Sequence, residues 1–536
     1  MRRRILSIAA VMMSAVFAMT ACGQETSQAV TQEEKQSETE VQTEQGQDNA
    51  TASDASDESK YEDAVQITLS DEAITVNGKE AVTEASDTEA VYISHDIIYY
   101  EDKDQYESGN PYGEGTDDDK HSAEEAAAHT VVNITQPGTY HITGKLSAGQ
   151  IFVNVGEEEE DKVTLILDGV DITCTIAPAV MFYKVYECDT DASEENASYE
   201  VDTTNAGAKV VIADGSVNNI SGSYVARIYK DNDEEKKLHK YDGAFYSKMS
   251  MEITGEEQGD GILNITATNE GLDTEMHLTI NGGNININAM NDGINVNEDG
   301  ISVCTINGGN LNVQSIDGEE GDGIDSNGWL VINGGNVYAS SNPKSQDAGI
   351  DSDMGIYING GTVIACGNMY DNVEEASSAN TMVLQFTDSA KGKLVIKDES
   401  DAEVLSFDCI ADYSNVVISA DALSEGTYHV YKDEIQLSYT GTMMGKGGRP
   451  AMAEGERPEW PEGEVPQNLD GERPQMADGE RPEKPEGDMP DMKEGERPQM
   501  PDGENVPNKG MQETSGEKNS DFVIQKGVNL FGGVTE

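Results

Sequence analysis

The string Asn-Gly-Gly recurs with its Asn at 281, 307, 333 and 359, a step of 26 residues each time. An apolar-rich segment precedes each copy: Leu278-Thr279-Ile280, Cys304-Thr305-Ile306, Leu330-Val331-Ile332 and Ile356-Tyr357-Ile358. An alternating run follows it, as in Asn284-Ile285-Asn286-Ile287 or Asn336-Val337-Tyr338-Ala339. A third segment reads Gly-(Ile/Leu)-(Asp/Asn): Gly271-Leu272-Asp273, Gly293-Ile294-Asn295, Gly323-Ile324-Asp325 and Gly349-Ile350-Asp351. Short β-branched segments broken by Gly and Asn, repeated at this length and without a helical period, specify a solenoid. Three strands of ~4–6 residues with three turns fill each unit, which predicts an all-β parallel β-helix with triangular coils.

Side chains alternate across a strand, so an inward Ile294 turns its neighbours outward. One predicted outer column is Asp273, Asn295, Asp325 and Asp351, and the next is Glu275, Asn297, Asn327 and Asp353. A further acidic set, Glu270, Asp292, Asp322 and Asp347, precedes each segment. Like residues on adjacent coils stack about 4.8 Å apart. Two carboxylates at that separation repel by ~3–4 kcal/mol at an effective dielectric of ~20. Calcium takes oxygen ligands at ~2.3–2.6 Å, so an ion between coils relieves that repulsion, and these columns are the candidate metal ligands. The competing reading is a solvated ladder, which is the expectation for Asn281, Asn307, Asn333 and Asn359. Neither the EF-hand loop nor the Gly-Gly-x-Gly-x-Asp calcium repeat is present.

Arg2-Arg3-Arg4 followed by an apolar Ile5–Met19 predicts a targeting segment over 1–21. Met19-Thr20-Ala21-Cys22 resembles a bacterial lipobox, which implies a lipid on Cys22 and a protein exported and tethered to the outer face of the cell membrane. Residues 22–60, rich in Gln, Glu, Thr and Ser, are predicted to be a disordered tether. The β-helix is expected over 61–444, with less regular coils beyond Cys366. Gly-Glu-Arg-Pro recurs with its Gly at 455, 471, 479 and 495, predicting a disordered insertion over 445–518. Residues 519–536 are then expected to supply a strand that returns to the body.

Several motifs in order carry a resemblance: Gln136-Pro137-Gly138-Thr139-Tyr140, Gly149-Gln150-Ile151, Val163 to Ile172, the Gly-Ile-Asp repeats, and Leu423-Ser424-Glu425-Gly426-Thr427-Tyr428. Over roughly residues 64 to 440 the chain resembles secreted clostridial carbohydrate-binding domains. The resemblance implies a right-handed, pectate-lyase-like β-helix with calcium, and binding of polygalacturonate or cellulose. The motifs carry over no individual calcium ligand. The chain departs from the family pattern in an acidic insertion after Cys188, in a polar one at 231–240, and in the lengthened turn Gly318–Gly321. Phe245 is expected where later coils carry Asp or Asn, so that the acidic face begins at Asp273.

With 102 Asp and Glu against 34 Lys and Arg, the formal charge is −68, which argues against nucleic acid and anionic membrane surfaces as partners. A pectate lyase needs a basic residue to abstract a proton, and between Ile262 and Cys366 the only Lys or Arg is Lys344. The acids stand in uniform ladders without a marked catalytic pair. The expectation is therefore a non-enzymatic binder of acidic polysaccharide, with Trp329, Tyr338 and Tyr357 as candidate sugar platforms. A calcium-stiffened adhesive rod is the alternative, and a lyase a further one. Cys22 aside, five Cys remain; the odd number argues against a disulfide framework, and Cys304 is expected in the core.

Overall fold

The computed structural model describes residues 60–98, 100–102, 121–228, 241–318, 321–441 and 517–536. The expected targeting segment, Cys22, the tether up to 59 and residues 445–516 of the expected insertion lie outside the described residues. What is described is mostly β and dominated by long parallel ladders.

Each repeat gives one strand to each of three ladders. The first runs through Met251–Gly255, Leu278–Ile280, Val303–Ile306, Trp329–Ile332 and Gly355–Ile358, all parallel. The second runs through Val217–Gly222, Ile262–Ala267, Asn284–Ala289, Asn310–Ser315, Asn336–Ser340 and Thr362–Gly367. The third runs through Thr130–Ile134, Gly149–Asn154, Val180–Lys184, Gly243–Ser247, Glu270–Thr274, Ile294–Val296 and Ile324–Ser326.

The register stacks like on like. Ile253, Ile280, Ile306, Ile332 and Ile358 pair in sequence and are wholly buried. Leu278, Cys304, Leu330 and Ile356 form a parallel column, so Cys304 is a core residue. Each such side chain stabilises the fold by about 1.5–3 kcal/mol relative to exposure. The second Gly of each Asn-Gly-Gly has φ between 83° and 97°, a left-handed turn that a side chain would strain. The Asn before it donates from Nδ2 to Oδ1 of the Asn one repeat earlier at 2.9 Å, from Asn359 through Asn333 and Asn307 to Asn281.

Beyond Gly367 one less regular turn follows, bridged in parallel from Met369 to Ala348 and from Val373 to Ile356, and from Thr381 the expected coils do not continue. Glu403–Ala420 runs antiparallel to Thr362–Gly367 and to Thr381–Asp398, and Gly426–Lys432 is antiparallel to the latter. The strand-like segments from 381 onwards are long and hairpin-linked, so they reverse direction instead of advancing by one coil. They enclose a second core. Phe522–Ile524 pairs with Gly426–Lys432, and Val528–Val534 lies parallel to Thr381–Asp398. Phe522, Phe531 and Tyr439 meet there with ring centroids 4.9–5.1 Å apart, which gives these last strands an apolar anchor.

Candidate metal centre on the third ladder

The third ladder turns Phe245, Leu272, Ile294 and Ile324 inward, one above another, and Ile350 extends the stack through an isolated bridge to Ile324. Tyr246, Asp273, Asn295 and Asp325 form the adjacent column, and the Asp351 N–H donates to the Ile324 carbonyl at 2.8 Å. Phe245 is thus the counterpart of Leu272, and Tyr246 stands above Asp273. The expected alignment of Phe245 with the acids was one residue out, because Gly243 pairs with Glu270 and not with Gly271.

The glycine of each Gly-(Ile/Leu)-(Asp/Asn) segment marks a close backbone approach. A Cβ at Gly271, Gly293 or Gly323 would lie 2.4, 2.6 or 2.3 Å from the carbonyl oxygen of the corresponding glycine one repeat on. This tight corner brings the acid before the glycine to the same edge as the acid after it. Asp322, Asp325 and Asp351 each present a carboxylate oxygen, all within 4.8 Å of one another, and all three residues are half-buried.

The turn acids also hold the backbone of neighbouring repeats. Asp322 N–H donates to Asp292 Oδ1 at 2.6 Å, Ala348 N–H to Asp322 Oδ1 at 2.6 Å, and Gly321 N–H to Asp347 Oδ2 at 2.7 Å. The expected column Glu270, Asp292, Asp322, Asp347 therefore needs one correction. Gly271, Gly293 and Gly323 donate to the carbonyls of Asp292, Asp322 and Ala348, so Ala348 is the fourth member and Asp347 lies one residue earlier.

A more enclosed group sits two repeats up. Asp273 is fully buried, and its Oδ1 accepts from Asn297 Nδ2 at 2.7 Å. Its Oδ2 and the Oδ1 of buried Asn295 have no hydrogen-bond partner among the described residues. Glu275 accepts from the buried Tyr246 hydroxyl at 2.6 Å. Asp242 and Glu270 are 5 % exposed and crowd the same carboxylate. Burial first, then Glu270, Glu275 and Asp242, push the Asp273 carboxyl well above the usual carboxylate range. Burial, then Glu270, Asp325 and Asp347, does the same to Asp292. Burial, then Asp292, Asp351 and Asp325, raises Asp322. The side chains responsible are all acidic, so the edge is one electrostatically continuous strip.

The second expected column does not gather as drawn. Asn297 serves Asp273, while Asn327 Nδ2 donates to the Asn297 carbonyl at 2.9 Å and to Asp299 Oδ1 at 2.8 Å. Asp353 is exposed and lies outside the three-carboxylate group. Asp322, from the turn, takes the place expected for Asn327 and Asp353 beside Asp325 and Asp351. Asp242 and Tyr246 escaped the sequence reading, although Asp242-Gly243 repeats the dipeptide of Asp292-Gly293 and Asp322-Gly323.

The aromatic candidates are not an open platform. Trp329 is 9 % exposed, packed with Val303 and Val331 under Ala197, Tyr199 and Val201. Tyr357 stacks on Tyr199 at 4.3 Å, and Tyr338 packs on the second core, on a different ladder. The acidic insertion after Cys188 carries those apolar residues and folds back over the first ladder. It is held there by buried His277, whose Nδ1 accepts from the Val303 N–H at 3.1 Å and whose Nε2 faces Asp189 Oδ2 at 3.3 Å. Burial lowers the His277 pKa, which suits a neutral ring with a structural role. Lys344 is ion-paired with Asp317.

Long parallel ladders and an acidic edge define a mostly-β protein that presents stacked oxygen ligands. The family model for carbohydrate-binding domain-containing proteins matches residues 128–424, more than half of the chain, and the chain belongs to that family. A carbohydrate-binding domain-containing protein of Acetivibrio thermocellus is 32% identical over 178 residues, covering 32% of this chain and 51% of the relative. The chain thus spans about half the length of that curated relative. A solved structure, the gadolinium derivative of the polysaccharide lyase-like protein from C. thermocellum, aligns with 56% of this chain and 93% of its own at 20% identity and a TM-score of 0.31.

Proposed function

We propose that this protein binds acidic polysaccharide in a calcium-dependent manner and without catalysis. In this reading it is an exported lipoprotein held at the cell surface through Cys22, its repeats wound as a right-handed parallel β-helix. The observation that carries the metal part is the convergence of Asp322, Asp325 and Asp351 within 4.8 Å. Oxygens on opposite sides of one calcium ion are ~4.6–5.2 Å apart, so the three fit a shared ion. The unpartnered Asp273 Oδ2 and Asn295 Oδ1 supply a second, more enclosed set of hard oxygen donors.

Calcium bound there supplies positive charge between repeats and open coordination positions for ligand carboxylates. The chain needs that charge, since its formal −68 repels a polyuronate. Asp322, Asp325 and Asp351 hold the ion in this reading, Asp292 and Asp347 fix the turns around it, and Asn297 orients Asp273. A binder without catalysis accords with the scarcity of Lys and Arg along the repeats and with His277 enclosed under the insertion.

Titration calorimetry with calcium alone, then with polygalacturonate in calcium or in EGTA, tests the proposal. Calcium should bind in the polymer's absence, and polygalacturonate only when calcium is present. Equal polymer binding in EGTA would remove calcium from recognition. Calcium binding with no glycan bound would leave the adhesive rod. A growing unsaturated-uronide absorbance would make the protein a lyase.

A further inference from the structure

Two of the cysteines meet away from the acidic edge. Cys366 lies on Thr362–Gly367, the last parallel strand of the second ladder, and Cys409 on the long antiparallel strand Glu403–Ala420. Both are buried in the second core, 1 % and 2 % exposed, with their sulfurs 3.1 Å apart. That is closer than ordinary apolar packing contacts of ~3.5–4.0 Å. Cys366 pairs in register with Val416, not with Cys409. Cys409 stands opposite Gly392, next to where pairing between the two long strands slips around Ala390. Tyr413, fully buried, and Phe386 pack edge to face in the same cluster. Cys174 and Cys304 are buried in the first core, and half-buried Cys188 stands beside Glu187.

We propose that Cys366 and Cys409 form a disulfide in the protein folded under oxidising conditions, cross-linking the last parallel strand to the antiparallel region. The oxidant is a low-molecular-weight or protein disulfide, R–S–S–R. One cysteine thiolate attacks it, forming a mixed disulfide and releasing R–S⁻, which takes up a proton. The second thiolate then attacks the cysteine sulfur of the mixed disulfide and releases the second R–S⁻. Overall two cysteine S–H bonds are lost, one S–S bond forms, and R–S–S–R is reduced to two R–SH. Burial in the finished fold raises the Cys366 thiol well above its usual range, so exchange belongs to the stage before the strands close over it. The bond would join residues 43 apart in sequence and restrict the unfolded chain between them.

The full chain, unfolded and refolded either with a reduced/oxidised glutathione pair or with a phosphine reductant, provides the test. Alkylation under denaturing conditions followed by peptide mass mapping should show the Cys366 and Cys409 peptides linked and unalkylated only after oxidising refolding. Cys174, Cys188 and Cys304 should be alkylated in both samples. The oxidised protein should melt about 5 °C or more above the reduced one. The Cys366→Ala, Cys409→Ala double variant should melt alike under both conditions. Full alkylation of Cys366 and Cys409 after oxidising refolding, or either one linked to another cysteine, would overturn the proposal. The wild-type map decides the matter even if the double variant does not fold.

Discussion

Two edges of the same repeats solve the stacking problem in opposite ways. On one, Asn281, Asn307, Asn333 and Asn359 each carry a donor and an acceptor, and every amide meets the next at 2.9 Å. On the other, Asp273, Asn295 and Asp325 pair in a column that Asp351 extends, yet a carboxylate offers only acceptors. Asn297 serves Asp273, and backbone N–H groups serve Asp292 and Asp322 of the adjoining turn set, but burial and mutual repulsion still push Asp273, Asp292 and Asp322 toward the protonated form. The neutral ladder is complete within the chain. The acidic one keeps its mutual repulsion, which a proton relieves or, in the proposed function, a cation.

Removing charge from the acidic edge should therefore have the largest effect. Asp325→Asn combined with Asp351→Asn keeps a side-chain oxygen at each position but abolishes repulsion worth ~3–4 kcal/mol per adjacent pair at an effective dielectric of ~20. In EGTA the double variant should melt several degrees above wild type, whereas the upward shift that calcium gives wild type should be largely lost. That shift reaches about 4 kcal/mol for a ligand at a thousand times its Kd. A double variant that melts lower in EGTA and keeps the calcium shift would erase the proposed difference between the edges.

A pH series in EGTA tests the same difference with a smaller effect. Asp273, Asp292 and Asp322 have folded-state pKa values above the ~3.9 of an unfolded Asp. The folded chain consequently holds more protons than the unfolded one in this range. The associated stability is fully present below the unfolded pKa and is lost as pH rises through the raised folded values. The cost is about 1.4 kcal/mol per pH unit for each group still protonated. Melting temperature in EGTA should fall as pH rises from about 4 toward neutrality, with a shallower slope in Asp292→Asn. Identical slopes for the two proteins would show that Asp292 is not strained by its neighbours.

The periodic part of this contrast was legible in the sequence, because the step of 26 fixes register and alternation fixes which side chains point inward. Ile280, Ile306, Ile332 and Ile358 fall in line for that reason. Corners follow no such alternation. Asp322 joins Asp325 and Asp351 through a backbone approach that leaves no room for a Cβ at Gly323, and spacing alone does not encode that distance. Ala348 fills the turn column because the step of 26 from Asp322 falls on it, with Gly349 following as Gly323 does, so that correction was open to the spacing alone. Trp329 read as exposed because its cover, Ala197, Tyr199 and Val201, lies some 130 residues earlier inside a segment whose acidity concealed it. The approach of Cys366 to Cys409 was hidden likewise, since it depends on a reversal to antiparallel pairing that short strand-like segments do not announce.

The smallest effect belongs to the neutral edge and makes the contrast most specific. Asn307 donates to Asn281 and accepts from Asn333, so Asn307→Ala removes both hydrogen bonds from an exposed column. Water replaces most of what is lost, and the cost should be about 1 kcal/mol, independent of calcium and of pH between 5 and 8. Asn307→Asp keeps the acceptor for Asn333 but sets a carboxylate oxygen against Asn281 Oδ1, where a donor stood. Its cost should exceed that of Ala at neutral pH and shrink as the pH falls through the ordinary carboxylate range. Calcium should not rescue it, because one carboxylate among neutral amides lacks the converging charges of Asp322, Asp325 and Asp351. Thermal melts of both variants at pH 4.5 and 7.5, with and without calcium, would read these differences. Rescue of Asn307→Asp by calcium would mean that stacking distance alone creates a cation site, and that the corner geometry around Gly323 is not what distinguishes the acidic edge.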